Sequence, residues 1–306
     1  MSYPIDEKLV IATASSALFD LSESDRIFRE EGLEAYRKYQ RKHEEDVLEP
    51  GVAFPLIDRL LDLQLGEDGE HPVEVVLLSR NDPDTGLRVF HSIQAHDLRI
   101  QRAAFTSGEN PFRYMDAFNA CLFLSADEDS VYQAIERGLP AGLVHPTQFE
   151  DDDHNELRIA FDFDGVIVDD SAEAVHQEEG LNAFHESERA NAEEALSEGP
   201  LQPFFQKLAM LQEAEIKRSG PESGYEPRLR IGIVTARGAP AHERVVTTLR
   251  EMGIHVDESF FLGGVDKSRV LEEFRPHIFF DDQETHIEDT KEITPSVHVP
   301  YGIKNE

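Results

Sequence analysis

The chain has 306 residues, 40% of them hydrophobic, enough to bury one large core or two ordinary ones. Its 62 acidic residues against 29 basic ones give a net charge of −33, which repels nucleic-acid phosphate and reads as a solvated surface or as adaptation to high salt. A single cysteine, Cys121, excludes a disulfide framework and a cysteine-rich zinc site, and it reads as a small buried apolar residue.

The opening MSYPIDEKLVIATASS has no basic stretch followed by an apolar one, and no apolar run is long enough to span a bilayer. A soluble, cytoplasmic protein without membrane or nucleic-acid partners is therefore expected. In chain order, an apolar strand is expected over Leu9–Ala14, then a polar helical region over 14–72 with Phe28, Leu33, Tyr36 and Tyr39 at helical spacing. A second strand is expected over Val73–Leu78, and a third over Cys121–Leu124 after a helix, a loop and another helix. The acidic stretch FEDDDHNE, Phe149–Glu156, reads as a linker. The plan then restarts. Strands are expected over Arg158–Phe163, Leu229–Val234 and Ile278–Phe280, with helices at 171–228 that include Val175, Leu181 and Phe184 and end in the loop RSGPESGYEPR.

The restart is a repeat in sequence as well as in pattern. EEGLEAY from Glu30 returns as EEGLNAF from Glu178, 148 residues on, and LEPGVAFPLIDRLLDL from Leu48 returns as LSEGPLQPFFQKLAML from Leu196. Three later blocks return 156 residues on: VEVVLLSRN as LRIGIVTAR, FTSGENP as FLGGVDK, and FNACLFLSADE as FRPHIFFDDQE. Two tandem copies are expected, 1–148 and 157–306, joined by residues 149–156. The expected class is α/β: two Rossmann-like three-layer units, each a mainly parallel sheet with a helical insertion, at about 171–228 in the second.

Polar residues of the second copy sit at strand ends, where α/β sheets bind ligands. The first strand runs into Asp162-Phe163-Asp164-Gly165, the second ends at Thr235, a loop presents Lys267 at a helix start, and the third runs into Asp281-Asp282. Carboxylates gathered at one point repel, and oxygen-only ligands call for a hard cation, Mg²⁺. A hydroxyl, a lysine and a helix N-terminus beside them form a phosphate cradle. The candidates for phosphate binding are Gly165, Thr235, Ala236, Arg237 and Lys267; those for metal are Asp162, Asp164, Asp281 and Asp282. Arg237 reads equally as a surface ion pair, Asp169 and Asp170 as helix caps, and His286 as a surface residue.

The order DxDG, T, K, DD resembles the haloacid-dehalogenase-like (HAD) phosphatase superfamily. The whole chain resembles the cytosolic 5′-nucleotidase I family in phrases such as SSALFD, YQRKHE, NPFRYMDAFNACLFLSAD, LRIAFDFDGV, IVTAR, RPHIFFDDQ and HVPYG. That resemblance implies Mg²⁺-dependent hydrolysis of nucleoside 5′-monophosphates such as AMP and IMP, and it makes the helical insertions at about 14–72 and 171–228 the superfamily's cap insertions. It makes Asp162 the nucleophile that becomes an aspartyl-phosphate and Asp164 the acid and base. Thr235 and Lys267 hold the phosphoryl oxygens. Metal falls to the Asp162 side chain, the Asp164 carbonyl and one of Asp281 and Asp282, with Asp282 favoured by register and Asp281 open to orienting Lys267 or a metal-bound water. Competing readings are a phosphatase for another small phosphomonoester, such as a sugar phosphate, and a non-catalytic nucleotide sensor. Oligomeric state stays open.

The first copy lacks the acidic and basic elements. Thr13 and Ser15 stand for the two aspartates, Ser79 for Thr235, Pro111 for Lys267, and Ser125 and Ala126 for the final pair. It reads as degenerate: either a recognition or effector unit, or a scaffold whose polar groups satisfy their own loops.

Overall fold

The computed structural model describes residues 3–65, 70–147, 155–220 and 223–305. Residues 149–154 of the expected linker lie outside them. Ten strands form one sheet: β1 (Leu9–Thr13), β2 (Val73–Ser79), β3 (Arg102–Phe105), β4 (Phe123–Ser125), β5 (Ala141–Val144), β6 (Leu157–Phe161), β7 (Leu229–Thr235), β8 (Glu258–Phe261), β9 (Ile278–Asp281) and β10 (Ser296–His298). Their order is β3-β2-β1-β4-β5-β10-β9-β6-β7-β8. Each neighbouring pair is parallel except β5 with β10, where Val144 faces Val297. The expected α/β class with a mainly parallel sheet is observed, and the two five-strand runs join edge to edge into one continuous sheet.

The continuous apolar strands follow from cover on both faces. Leu9 and Ile11 of β1 enter one buried cluster, while Val10 and Ala12 point into another with Phe112 and Val131. The first of these clusters runs on beneath β6, where Phe161 stacks on Phe280 with ring centroids 5.1 Å apart. Helix Phe54–Leu61 packs against β6, and helix Gln202–Arg218 packs against β1, so the two runs of strands share that core. The second of these helices starts at a proline and buries Phe204, Phe205, Leu208 and Leu211, one stripe of a 3.6-residue period.

Four strands were not expected from sequence. β3 and β8 are sheet edges with part-exposed side chains, so they lack an unbroken apolar run, and β5 and β10 are short, with four and three residues. The helical pairs Ser22–Glu31/Leu33–Lys42 and Ser171–Glu179/Leu181–Ala190 each turn at a glycine, Gly32 or Gly180, with φ 85°. Their apolar stripe is not all core: Phe28, Leu33 and Leu181 are 50%, 47% and 55% exposed.

Candidate active site

β6 lies between β7 and β9, with Phe161 in register with Ile233 and Phe280. The residues just past these strands therefore meet at one carboxyl edge. Asp162 is fixed there by donating its backbone N–H to Phe280 O at 2.7 Å, and its Oδ1 accepts from the Phe163 N–H at 2.6 Å. Lys267, at the N-cap position of helix Ser268–Phe274, brings its ammonium between two carboxylates: Nζ donates to Asp162 Oδ2 and to Asp281 Oδ2, each at 2.6 Å. All three side chains are buried.

Asp281 also accepts from the Gln283 N–H at 2.9 Å, and His286 Nδ1 lies 3.1 Å from both of its oxygens. Burial works to raise the Asp281 carboxyl, but Lys267 and His286 prevail and hold it below its ordinary value. Asp162 goes the other way. Burial, helped by the Asp281 charge, pushes it up to about 6 despite Lys267. Lys267 is itself held firmly charged, because the two aspartates outweigh its burial.

Asp282 is the exposed nerve of this cluster in an electrostatic sense, although it is only 4% accessible. Its Oδ1 has no hydrogen-bond partner, and burial together with Asp162 and Asp281 pushes its carboxyl up to about 9. Gly165 explains how it fits: with φ 70°, the glycine leaves a space where a Cβ would lie 2.6 Å from Asp282 Cγ. Three buried carboxylates thus lie beside one lysine that bonds only two of them, and one oxygen of the third is left without a partner. That is the pattern of a site that takes a hard cation. Asp162, Asp281 and His286 also offer donor atoms within 4.8 Å of one another.

Asp164 stands apart from that cluster. Both of its oxygens accept from Arg237, Nε to Oδ2 and Nη2 to Oδ1, each at 2.7 Å. The remaining nitrogen of the guanidinium, Nη1, donates to Glu188 Oε2, and the ring faces of Phe163 and Phe184 lie 5.6 and 5.5 Å from its carbon. Arg237 is 4% exposed, so the surface ion pair considered from sequence is a buried one. Its guanidinium is engaged by two carboxylates, Asp164 and Glu188. Thr235 is buried, and its Oγ1 accepts from the Arg237 N–H at 3.1 Å, which shapes the turn after β7. Ala236 is exposed.

Other sequence readings divide. Asp169 caps as expected, its Oδ1 accepting from Ser171 Oγ at 2.6 Å, whereas Asp170 accepts from the Ile303 N–H at 2.7 Å and so ties down the C-terminal turn. His286, read as a surface residue, is half-buried on Asp281. Glu188 and Arg244 were missed; Glu188 lies in the acidic run HESERANAEE, where nothing local marks it for burial. At the matching edge of the first half, Ser15 and Ser79 pair through their hydroxyls at 2.9 Å, and Ser125 Oγ accepts from the Asp127 N–H at 3.0 Å.

Fold and site together are those of an α/β protein that gathers buried carboxylates and a lysine at the carboxyl edge of a parallel sheet. The family model for 5′-nucleotidase matches residues 1–306, and the chain belongs to that family. It is 35% identical to human cytosolic 5′-nucleotidase 1B over 293 residues, covering 92% of this chain and 47% of that protein. The chain thus spans about half the length of this curated relative. No solved structure matches it. Among the described residues, no helix is long and apolar enough to cross a membrane.

Proposed function

We propose that this chain is a cytoplasmic, Mg²⁺-dependent 5′-nucleotidase that hydrolyses nucleoside 5′-monophosphates of the AMP and IMP kind through an aspartyl-phosphate on Asp162. One observation carries the reading: Asp162 is held at a strand end by Lys267, beside a carboxylate, Asp282, whose oxygen has no partner, in a chain of the 5′-nucleotidase family. The cytosolic relative supports the location and the substrate class.

The residues divide the work. An Asp162 carboxylate oxygen forms a bond to phosphorus as the bond to the 5′-oxygen breaks, and Asp164 gives that oxygen its proton. Asp164 then takes a proton from water, whose oxygen bonds to phosphorus and releases Asp162 and phosphate. Lys267 and Thr235 hold the phosphoryl oxygens and balance the charge of the transition state. Between the last two aspartates we assign Asp281 to orienting Lys267, because its Oδ2 takes the ammonium and its Oδ1 the Gln283 N–H, whereas Asp282 Oδ1 has no partner. Asp162, Asp282 and the Asp164 carbonyl would then hold the cation. When bound, Mg²⁺ neutralises the carboxylates enough for an anionic phosphate to approach. The two runs of strands read as duplicated units, the first non-catalytic; the same strand order outward from the β5–β10 seam supports this.

The test is phosphate release from a panel of phosphomonoesters with Mg²⁺ and with chelator. Nucleoside monophosphates should outrun sugar phosphates, chelator should stop turnover, and Asp162→Asn should abolish it. Sugar phosphates turned over equally well, or an active Asp162→Asn protein, would overturn the reading.

A further inference from the structure

Arg237 can hold Asp164 in place only if something holds Arg237. Glu188 does so from the far side. It is 1% exposed on helix Leu181–Ala190, its Oε2 accepts from Arg237 Nη1, and its Oε1 accepts from Arg244 Nη1 at 2.9 Å. A buried carboxylate of this kind could be mere cement between the helical pair and helix His242–Glu251. The first half of the chain supplies the internal control.

The cement is common to both halves. Arg244 Nε donates to Glu194 O at 2.9 Å, and Arg88 Nε donates to Asp46 O at 2.9 Å. The Leu196 N–H donates to Thr248 Oγ1 at 3.1 Å, and the Leu48 N–H donates to Ser92 Oγ at 2.9 Å. Gln40 takes the place of Glu188, is 2% exposed, and its Oε1 accepts from Arg88 Nη1 at 3.5 Å. A neutral amide therefore serves the structural purpose. What differs is the inner end of the chain of contacts. Where Arg237 and Asp164 stand, the first half has Asn81, which accepts from Tyr36 Oη at 2.9 Å, and Ser15, bonded to Ser79. The charge on Glu188 goes with Arg237 and Asp164, not with the latch.

We infer that Glu188 is a positioning residue for the reaction, acting through Arg237 to set where the Asp164 carboxyl stands. This rests on the reading of Asp164 as proton carrier. Both Asp164 oxygens are taken by Arg237, and a proton carrier needs one of them free at the leaving oxygen. Glu188 gives the guanidinium a second carboxylate to hold on to when Asp164 turns toward the substrate. With Glu188 neutral, Arg237 keeps Asp164 to itself.

The readout is dependence on the leaving group. A nucleoside 5′-oxygen needs a proton to depart and a nitrophenolate does not, so a misplaced Asp164 slows formation of the aspartyl-phosphate from the first ester only, a step read by kcat/KM, whereas its later hydrolysis, in which Asp164 takes the proton from water, is common to both. Glu188→Gln should lower kcat/KM for a nucleoside monophosphate about 10-fold or more, within the range general acid catalysis supplies, and leave kcat/KM for p-nitrophenyl phosphate within about 3-fold. Gln40 shows that glutamine fits this setting. Arg237→Lys, which keeps the charge but loses the two-oxygen hold, should give the same split. Arg244→Gln, which cuts the shared latch, should lower the melting temperature and reduce both reactions in proportion. Equal loss with both esters in Glu188→Gln, or no loss, overturns the inference. Asp162→Asn run in parallel keeps the two readings separate: if it still turns over, the nucleotidase mechanism fails, and if it is dead while Glu188→Gln shows no split, only the role of Glu188 fails.

Discussion

Replacing Asp282 by Asn should stabilise the metal-free protein while removing its activity. Asp282 is buried without a partner for Oδ1, and its carboxyl stands near 9, against an ordinary value of 3.8, first because of burial and then because of Asp162 and Asp281. The folded protein keeps this group protonated where the unfolded chain ionises it. A carboxyl raised on folding costs nothing below its unfolded value, and stability then falls as pH rises toward the folded value, by about 1.4 kcal/mol per unit. From 3.8 to pH 7 is about three units, a ceiling of about 4 kcal/mol, and relaxation around the buried group leaves about 2–4 kcal/mol. Asn is neutral at every pH, so urea unfolding in chelator at pH 7 should show Asp282→Asn more stable by that amount, and the gain should shrink as pH is lowered to 5. Mg²⁺ should stabilise the wild type more than the variant, because a bound cation removes the same penalty. A variant no more stable than wild type in chelator, or a gain that does not change with pH, would refute the account of Asp282 as a carboxylate waiting for positive charge.

Lys267→Met should be the most damaging single change at this edge: it leaves Asp162 and Asp281 buried without their shared cation, at about 3–5 kcal/mol. Denaturant unfolding should show that loss, and part of it should return as pH falls and the carboxylates protonate. Gly165→Ala should cost about 1–2 kcal/mol for the left-handed backbone alone, and its Cβ, 2.6 Å from Asp282 Cγ, should displace that carboxyl. Titration of activity with Mg²⁺ should then show a weaker dependence on low concentrations of the ion, and wild-type stability and metal response would count against the cradle.

The main features of the sheet were legible because burial leaves a plain mark. A parallel strand covered on both faces is mostly apolar, so Leu157–Phe161 and Leu229–Thr235 stand out despite Arg158 and Arg230 near their starts, and a charged residue at the end of such a run, such as Asp162 or Asp281, needs a reason to be there. The edge strands β3 and β8 carry no such mark, since one side of each lies open. Glu188 was illegible for a different reason. Its helix is mostly exposed and acidic, and its burial is decided by Arg237 and Arg244, about fifty residues further along the chain. His286 likewise becomes notable only when the helix after β9 folds it back onto Asp281.

The contrast between the halves follows from the same electrostatics. In the second half every cation of the cluster is shared: Lys267 between Asp162 and Asp281, Arg237 between Asp164 and Glu188, with Arg244 on the other oxygen of Glu188. Taking one partner from a buried pair strands the other, at about 3–5 kcal/mol. Such a network cannot be lost one charge at a time without a penalty at each step. The first half accordingly holds no remnant of it at the sheet edge: Ser15, Ser79 and Asn81 are neutral and find neutral partners, Gln40 sits where Glu188 would, and only Arg88 remains, donating to Asp46 O and Gln40. Arg237 and Lys267 at this edge are both already bound to carboxylates, in a chain of net charge −33. On the proposed function an anionic substrate therefore needs added positive charge at this edge, and the unpartnered oxygen of Asp282 is the group that would draw it there.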